Sequence, residues 1–283
     1  MARFASRLEL LRVTVPGIAP FDLVAEGAGD KYFVPHVRQH GVWEAAESLS
    51  LLRMLTPGMR VVDAGAHVGY YSMLFSRRVG PAGAVLAFEP EPENHRLLQA
   101  NLLINDCRNV RVQQVALADT RGRATLHLCE DNFGDHRLQA VPGRRQIEVD
   151  TLSLDEALGD FEPDLVKIDT QGAEPRIFHG MWQLIERRRE HLACLFEFAP
   201  ALLARDGMSV AAFADLLQSL GVIAYRPLLV QRQVTLQRLH PLTDGLARLA
   251  ADLDGWGTPD AAADLLGFFS PAAEAAWLQR FRG

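Results

Sequence analysis

A short apolar strand, a glycine turn opening a helix, and a second strand ending in an acid follow one another in Val61-Val62-Asp63-Ala64-Gly65-Ala66-His67-Val68-Gly69-Tyr70-Tyr71-Ser72 and Val85-Leu86-Ala87-Phe88-Glu89-Pro90. That order leaves few folds open. Strand, helix and parallel strand wind right-handedly. In an open α/β sheet a ligand lies beyond the carboxyl ends of the strands, where an acid closing the second strand accepts hydrogen bonds from ribose hydroxyls. Glu89 stands at that position.

The turn also narrows the ligand. A dinucleotide fingerprint needs G-x-G-x-x-G so that backbone amides reach a pyrophosphate at the helix N-terminus. Here Gly65 and Gly69 are separated by three residues, His67 takes the place of the middle glycine, and Asp63 lies just upstream. A pyrophosphate would meet an imidazole and a carboxylate. S-adenosylmethionine has no phosphate and carries an ammonium, a carboxylate and a sulfonium, which suit an acid at the end of the first strand. The bland alternative is a parallel sheet with an ordinary glycine turn and a capping or buried Asp.

The alternation continues along the chain. Helical periodicity over 43–55 stops at Pro57-Gly58, and helices over 68–78 and 93–103 separate strands near 84–88 and 110–115. Residues 124–128 and 146–149 read as extra strands flanking the polar loop Glu130-Asp131-Asn132-Phe133-Gly134-Asp135-His136-Arg137. A buried strand over 164–169, a helix over 173–188, a strand over 192–198 and a helix over 210–220 follow. Segments 221–226 and 233–239 close the sheet as a hairpin bent near Pro227, its last strand an antiparallel edge. Such spacing implies an α/β fold with a mostly parallel sheet. Alternation around Pro16-Gly17 and Gly27-Ala28-Gly29-Asp30 gives residues 1–42 as an N-terminal β-flap. Residues 43–240 form the main domain, and the alanine- and leucine-rich tail 241–283, broken at Gly255-Trp256-Gly257, Pro259 and Pro271, reads as short helices packed on it.

Composition excludes several classes. A net charge of −6 argues against nucleic acid as a partner, and Arg187-Arg188-Arg189 at a helix end complements the helix dipole. Cys107, Cys129 and Cys194 have no C-x-x-C spacing and read as reduced thiols, with no metal site among them. Arg3, Glu9 and Arg12 interrupt the N-terminal apolar residues, so no signal-peptide core is expected, and no apolar run approaches the roughly 18 residues of a membrane span. A cytoplasmic location without membrane contact is expected. The apolar tail can pack internally or against a second copy in a homodimer.

Asp63-Ala-Gly65 through Ser72, Phe88-Glu89-Pro90-Glu91-Pro92-Glu93-Asn94, Leu98 with Asn101, Ala116-Leu117-Ala118-Asp119, and Leu165-Val166-Lys167-Ile168-Asp169-Thr170-Gln171-Gly172-Ala173-Glu174 together resemble the FkbM family of S-adenosylmethionine-dependent methyltransferases, over roughly residues 41–200. The resemblance implies a class I, Rossmann-like methyltransferase fold and methyl transfer to a hydroxyl of a small molecule such as a polyketide, sugar or other secondary metabolite. It departs from the family at His67, where a small residue or Asn is usual, and at Gln171, where an acid is common.

Methyl transfer is a displacement at a carbon already activated by the sulfonium, so the chain must supply a cofactor cradle and at most one base. Asp63, Gly65, His67 and Gly69 are assigned to the methionine side, Glu89 to the ribose, Asn94 to the ribose edge or a helix cap, and Ala116 and Leu117 to the adenine. Glu44 resembles a family position that reaches the cofactor. Asp169, closing a buried strand, is the first candidate base or orients the cofactor amine. Glu174 is a second acid nearby or a helix-start residue, and His136 is the second candidate base. Glu197, Tyr70, Phe133 and Phe198 are candidate acceptor-pocket residues, while His179 and Trp182 are expected to pack on the sheet. Oxygen ligands suit Mg²⁺, but no third carboxylate follows at a helpful spacing, so a metal is not favoured. Methylation at nitrogen, a cofactor-binding protein without transferase activity, and an NAD-dependent oxidoreductase are the competing functions.

Overall fold

The structure, a computed structural model, describes residues 8–258 and 260–282; the readings at Arg3 and Pro259 lie outside them. The chain opens with an antiparallel hairpin, β1 (Leu8–Val13) and β2 (Phe21–Glu26), then α1 (Phe33–His40) and α2 (Ala45–Met54). The flap is therefore strand only to Glu26; Val34, expected at its end, lies in a helix whose first turn is capped by Asp30, which accepts from the Tyr32 and Phe33 amides at 2.8 and 2.9 Å. Next come β3 (Arg60–Ala64), α3 (Tyr70–Val79), β4 (Ala84–Phe88), α4 (Pro92–Ile104) and β5 (Val110–Gln113). Asn101 on α4 and Asn105 at its C-cap, one turn apart, tie the flap down. Asn101 brackets the Val24 amide and carbonyl at 2.7 and 2.8 Å, and Asn105 does the same for Asp22 at 3.0 and 2.7 Å.

Strands β6 (Ala116–Ala118), β7 (Gly122–Leu128) and β8 (Arg145–Ser153) form a separate three-stranded sheet that carries the polar loop. They are followed by α5 (Leu154–Leu158), β9 (Leu165–Ile168), α6 (Glu174–Gly180), α7 (Trp182–Arg188), β10 (Ala193–Phe198), α8 (Pro200–Arg205), α9 (Val210–Ser219), β11 (Ile223–Val230), β12 (Gln233–Arg238), α10 (Leu242–Asp254), β13 (Ala263–Phe268) and α11 (Pro271–Arg282). The main sheet runs β12-β11-β13-β10-β9-β3-β4-β5. Strands β5, β4, β3, β9 and β10 are mutually parallel, β13 is antiparallel to both its neighbours, and the edge strand β12 is antiparallel to β11. This is the α/β, mostly parallel, Rossmann-like architecture that the sequence implied, with an antiparallel edge strand.

Both sheet faces are covered, which is why the strands read as nearly continuous apolar runs. Val62, Ala64, Val166, Ile168 and Phe196 face α6, α7, α9 and α10, while Val61, Leu165, Leu195 and Leu266 face α2, α3, α11 and the flap. Four sequence expectations are corrected. The tail is not purely helical, and the division at residue 240 does not hold, because β13 inserts between β10 and β11 as an inner strand. The single helix over 173–188 is two, broken at Met181. The hairpin turns at Gln231 and Arg232, both at positive φ (49° and 65°), and Pro227 lies inside β11. His179 and Trp182 are exposed rather than packed on the sheet. No described helix is long and apolar enough to cross a membrane.

Candidate active site

Continuing the strand register past the carboxyl ends, Glu89, Gly65, Asp169, Glu197 and Asp264 stand side by side on β4, β3, β9, β10 and β13. Neighbouring strands lie ~4.8 Å apart, so one row of residues crosses the rim of the sheet. Gly65 makes the tightest crossing. It has φ 76°, its amide donates to the Phe88 carbonyl at 3.0 Å, and a Cβ there would overlap the Asp169 carbonyl. Gly65→Ala combines a left-handed backbone with a backbone clash, so a loss of ~2–5 kcal/mol is expected. Thermal unfolding measures it, and an unchanged Tm would mean that the loops after β3 and β9 do not touch.

Two cavities open along this rim. The first is walled by Val115, Ala116 and Leu117 on one side and by Phe133 and Leu138 on the other, with Glu89 at its edge. The Glu89 carboxylate accepts from the His67 amide at 2.8 Å and the Glu91 amide at 2.9 Å, and burial pushes its pKa up to about 7 against those two bonds. An apolar slot with a carboxylate at its edge has the chemistry that a nucleoside requires, an apolar wall for a base and an acceptor for ribose hydroxyls. The slot is about 50 Å³, well below the roughly 300 Å³ of small-molecule sites, so its walls must part to admit one. Several contacts hold the loop carrying Phe133 down: Asn94 Nδ2 donates to the Phe133 carbonyl at 3.0 Å, the Lys31 amide donates to the Asp131 carbonyl at 3.0 Å, the Lys31 ammonium meets the Asp131 carboxylate at 2.9 Å, and Arg137 meets Asp260 at 2.9 Å.

The second cavity, about 230 Å³, is bounded by Trp43, Glu44, Tyr71, Glu197 and Asp264. It shares His67, Gly134, Asp169 and Gln171 with the first, so the two meet at Asp169. Glu44 enters from the residue before α2 and accepts from the Tyr71 hydroxyl at 2.8 Å; burial, with Asp169 nearby, pushes it up to about 8. Gln171 links the acids, its Nε2 lying 3.0 Å from Asp169 Oδ1 and 3.2 Å from Glu197 Oε1.

Beneath the rim sits Lys167, buried on β9. Its Nζ lies 3.1 Å from Asp169 Oδ2, 3.7 Å from Asp63 Oδ1 and 4.7 Å from the centre of the Tyr71 ring. Burial pushes its pKa down, and Asp169, Asp63 and Glu44 overcome this to hold the ammonium charged. No role was assigned to Lys167 from the sequence, although a lone basic residue inside the apolar strand Leu165-Val166-Lys167-Ile168 was the available signal.

The other expected site residues divide. Ala116 and Leu117 line the nucleoside slot, Asn94 lines it while anchoring the loop, and Tyr70 lines the acidic chamber. His67, at φ 51°, lines both cavities; its Nε2 is buried without a hydrogen-bond partner, and burial drives its pKa down to about 3, so it is a neutral ring with a free polar atom. Asp63 lines neither cavity. It is buried behind the turn, accepting from Ser72 Oγ at 2.6 Å and pairing with Lys167, so it positions the network rather than touching ligand. Gly69 packs against Leu98, where a side chain would collide.

Glu174 lines neither cavity. Its oxygens accept from the Thr170 amide, the Thr170 hydroxyl and the Gly172 amide at 2.9, 2.8 and 2.9 Å, bracing the loop after β9 from behind. His136 lines the slot, but its Nδ1 accepts from the Cys129 amide at 3.1 Å and burial lowers its pKa to about 4, which leaves it a donor through Nε2 and not a base. Phe133 walls the nucleoside slot instead of the acceptor pocket, and Phe198 is buried in the core. Among the described residues, no three His, Cys, Asp or Glu side chains gather in a way that could hold a metal ion.

Comparison with known proteins identifies the family. The methyltransferase FkbM domain matches residues 63–223, more than half of the chain. Methyltransferase sdnD of Sordaria araneosa is 26% identical over 163 residues, which cover 44% of this chain and 62% of that protein, less than two thirds of its length. Methyltransferase 1 of Beauveria bassiana is 26% identical over 182 residues, covering 53% of this chain and 72% of that one. The crystal structure of an FkbM methyltransferase from Methylobacillus flagellatus superposes with a TM-score of 0.43 at 17% identity, over 74% of this chain and 43% of that one. The chain belongs to the FkbM methyltransferase family, a family of enzymes.

Proposed function

We propose that this protein transfers a methyl group from S-adenosylmethionine to a hydroxyl of a small molecule. The observation that carries the proposal is the junction at Asp169, where an apolar slot ending in a carboxylate meets a partly open chamber of about 230 Å³. A chamber of that size suits a small acceptor. When bound, the cofactor supplies a methyl group activated by a positively charged sulfur.

The chain's own residues do the rest. Glu89 accepts from the ribose hydroxyls, Val115 to Leu117 and Phe133 enclose the base, and the neutral His67 ring offers its free nitrogen beside the junction. Asp169 has one oxygen held by Lys167 and the other by Gln171, which fixes the carboxylate at the meeting point. There it would take the proton of the acceptor's hydroxyl as that oxygen is methylated. Orientation supplies most of the acceleration, and the positioned base adds ~10²–10⁴. Methyl-labelled S-adenosylmethionine tests this directly: label recovered as an ether on a small hydroxylated acceptor is the expected result, and label recovered only on nucleic acid or protein would contradict it.

The Glu89 pKa of about 7 sets a pH dependence. In the free protein the carboxyl is neutral below that value, and ribose donors favour its ionised form. Affinity for S-adenosylhomocysteine is therefore expected to tighten as pH rises from about 6 to 8, by up to roughly tenfold per unit of pKa lowered in the complex. Titrations at several pH values measure it, and affinity that weakens over this range would mean that Glu89 does not face the ribose.

A further inference from the structure

The acidic chamber holds more carboxylates than the reaction uses. Glu44, Glu197 and Asp264 all line it, and Glu47 adds its field from α2. The cation beneath them, Lys167, is already engaged by Asp63 and Asp169. Glu44 is stabilised by the Tyr71 hydroxyl and Glu197 by Gln171 alone. Asp264 receives no hydrogen bond from any described residue; half-buried, it lines the chamber, where desolvation and then Glu44 push its carboxyl well above the ordinary range. Buried carboxylates are costly unless paired. His67, whose Nε2 is buried and unpartnered, also lines this space.

The occupant that would satisfy this wall carries positive charge. The cofactor's own ammonium does not reach it. With the ribose on Glu89, eight bonds separate a ribose hydroxyl from that ammonium, roughly 10 Å when extended at the ~3.5 Å per three bonds of an extended chain. Asp264 stands four strands from Glu89 along the rim, roughly 19 Å at ~4.8 Å per strand. Trp43 and Tyr70 complete the chamber.

Resting on the methyltransferase assignment above, we propose that the methyl acceptor is an amino-bearing small molecule whose protonated amine is anchored by Glu197 and Asp264, with the hydroxyl to be methylated held one strand away at Asp169. The charged end selects the acceptor, and the reacting end takes the methyl.

The test uses the full protein saturated with S-adenosylhomocysteine and ligand-observed NMR on matched pairs of small molecules, amino alcohols and amino sugars against the corresponding diols and sugars. The expected result is at least about tenfold preference for the amines, since a charge-assisted bond is worth that much or more, lost in both Asp264→Asn and Glu197→Gln, with S-adenosylhomocysteine affinity unchanged within about twofold. Equal binding of amine and neutral partners, binding of neither, or amine binding that survives both substitutions overturns the proposal. Amine binding seen only without S-adenosylhomocysteine and displaced by it would assign the chamber to the cofactor and also overturn it. Failure of the protein to bind S-adenosylhomocysteine at all would instead fail the methyltransferase assignment.

Discussion

Asp169→Asn is expected to lower the turnover number by ~10²–10⁴ while leaving S-adenosylhomocysteine affinity within about threefold. Asn keeps the shape and still accepts from Gln171, but it cannot take a proton and no longer pairs its charge with Lys167. An interaction made only as the reaction proceeds lowers kcat and kcat/KM together, so steady-state kinetics separate this role from cofactor positioning. If kcat holds and only the cofactor KM rises, Asp169 orients the cofactor and orientation alone carries the catalysis.

The second large effect is on stability. Lys167→Met removes the cation that Asp63 and Asp169 share inside the sheet. Breaking a buried ion pair costs ~3–5 kcal/mol, which for a domain of this size lowers Tm by roughly 6–15 °C. The sign of the pH dependence follows from the same charges: acidification neutralises the stranded carboxylates, so the gap between variant and parent narrows as pH falls toward about 4. Calorimetric melting across that range measures it. A variant as stable as the parent at neutral pH would show that Lys167 does not hold the two acids together.

What the sequence showed and what it hid divide along the range of the interactions. The β3 turn, α3, β4 and Glu89 were legible because glycine spacing, helix period and a strand-ending acid are local signals. So was Glu89 as the carboxylate at the slot, since its place depends only on where β4 ends. Asp264 was invisible: Ala261-Ala262-Ala263-Asp264-Leu265-Leu266 has the composition of a helix, and it is a strand because β10 and β11 leave a slot between them, pairing that no local propensity encodes.

Glu174, Gly69 and Asp63 sit in motif positions, and their types alone do not say whether a side chain faces the ligand or the scaffold. Glu174 turns away to brace the loop, Gly69 packs on Leu98, and Asp63 lies behind the turn. His136 failed as a base for a reason set by tertiary structure, since the Cys129 amide occupies the lone pair that would accept a proton.

The most direct test of the nucleoside slot is calorimetric titration of the purified protein with S-adenosylhomocysteine and, separately, with NAD, repeated on Glu89→Ala. The expected result is binding of S-adenosylhomocysteine alone, weakened at least about tenfold in the variant, because a carboxylate accepting from ribose hydroxyls is worth ~1.5–3 kcal/mol. Binding of NAD, or S-adenosylhomocysteine binding indifferent to the loss of Glu89, would contradict it.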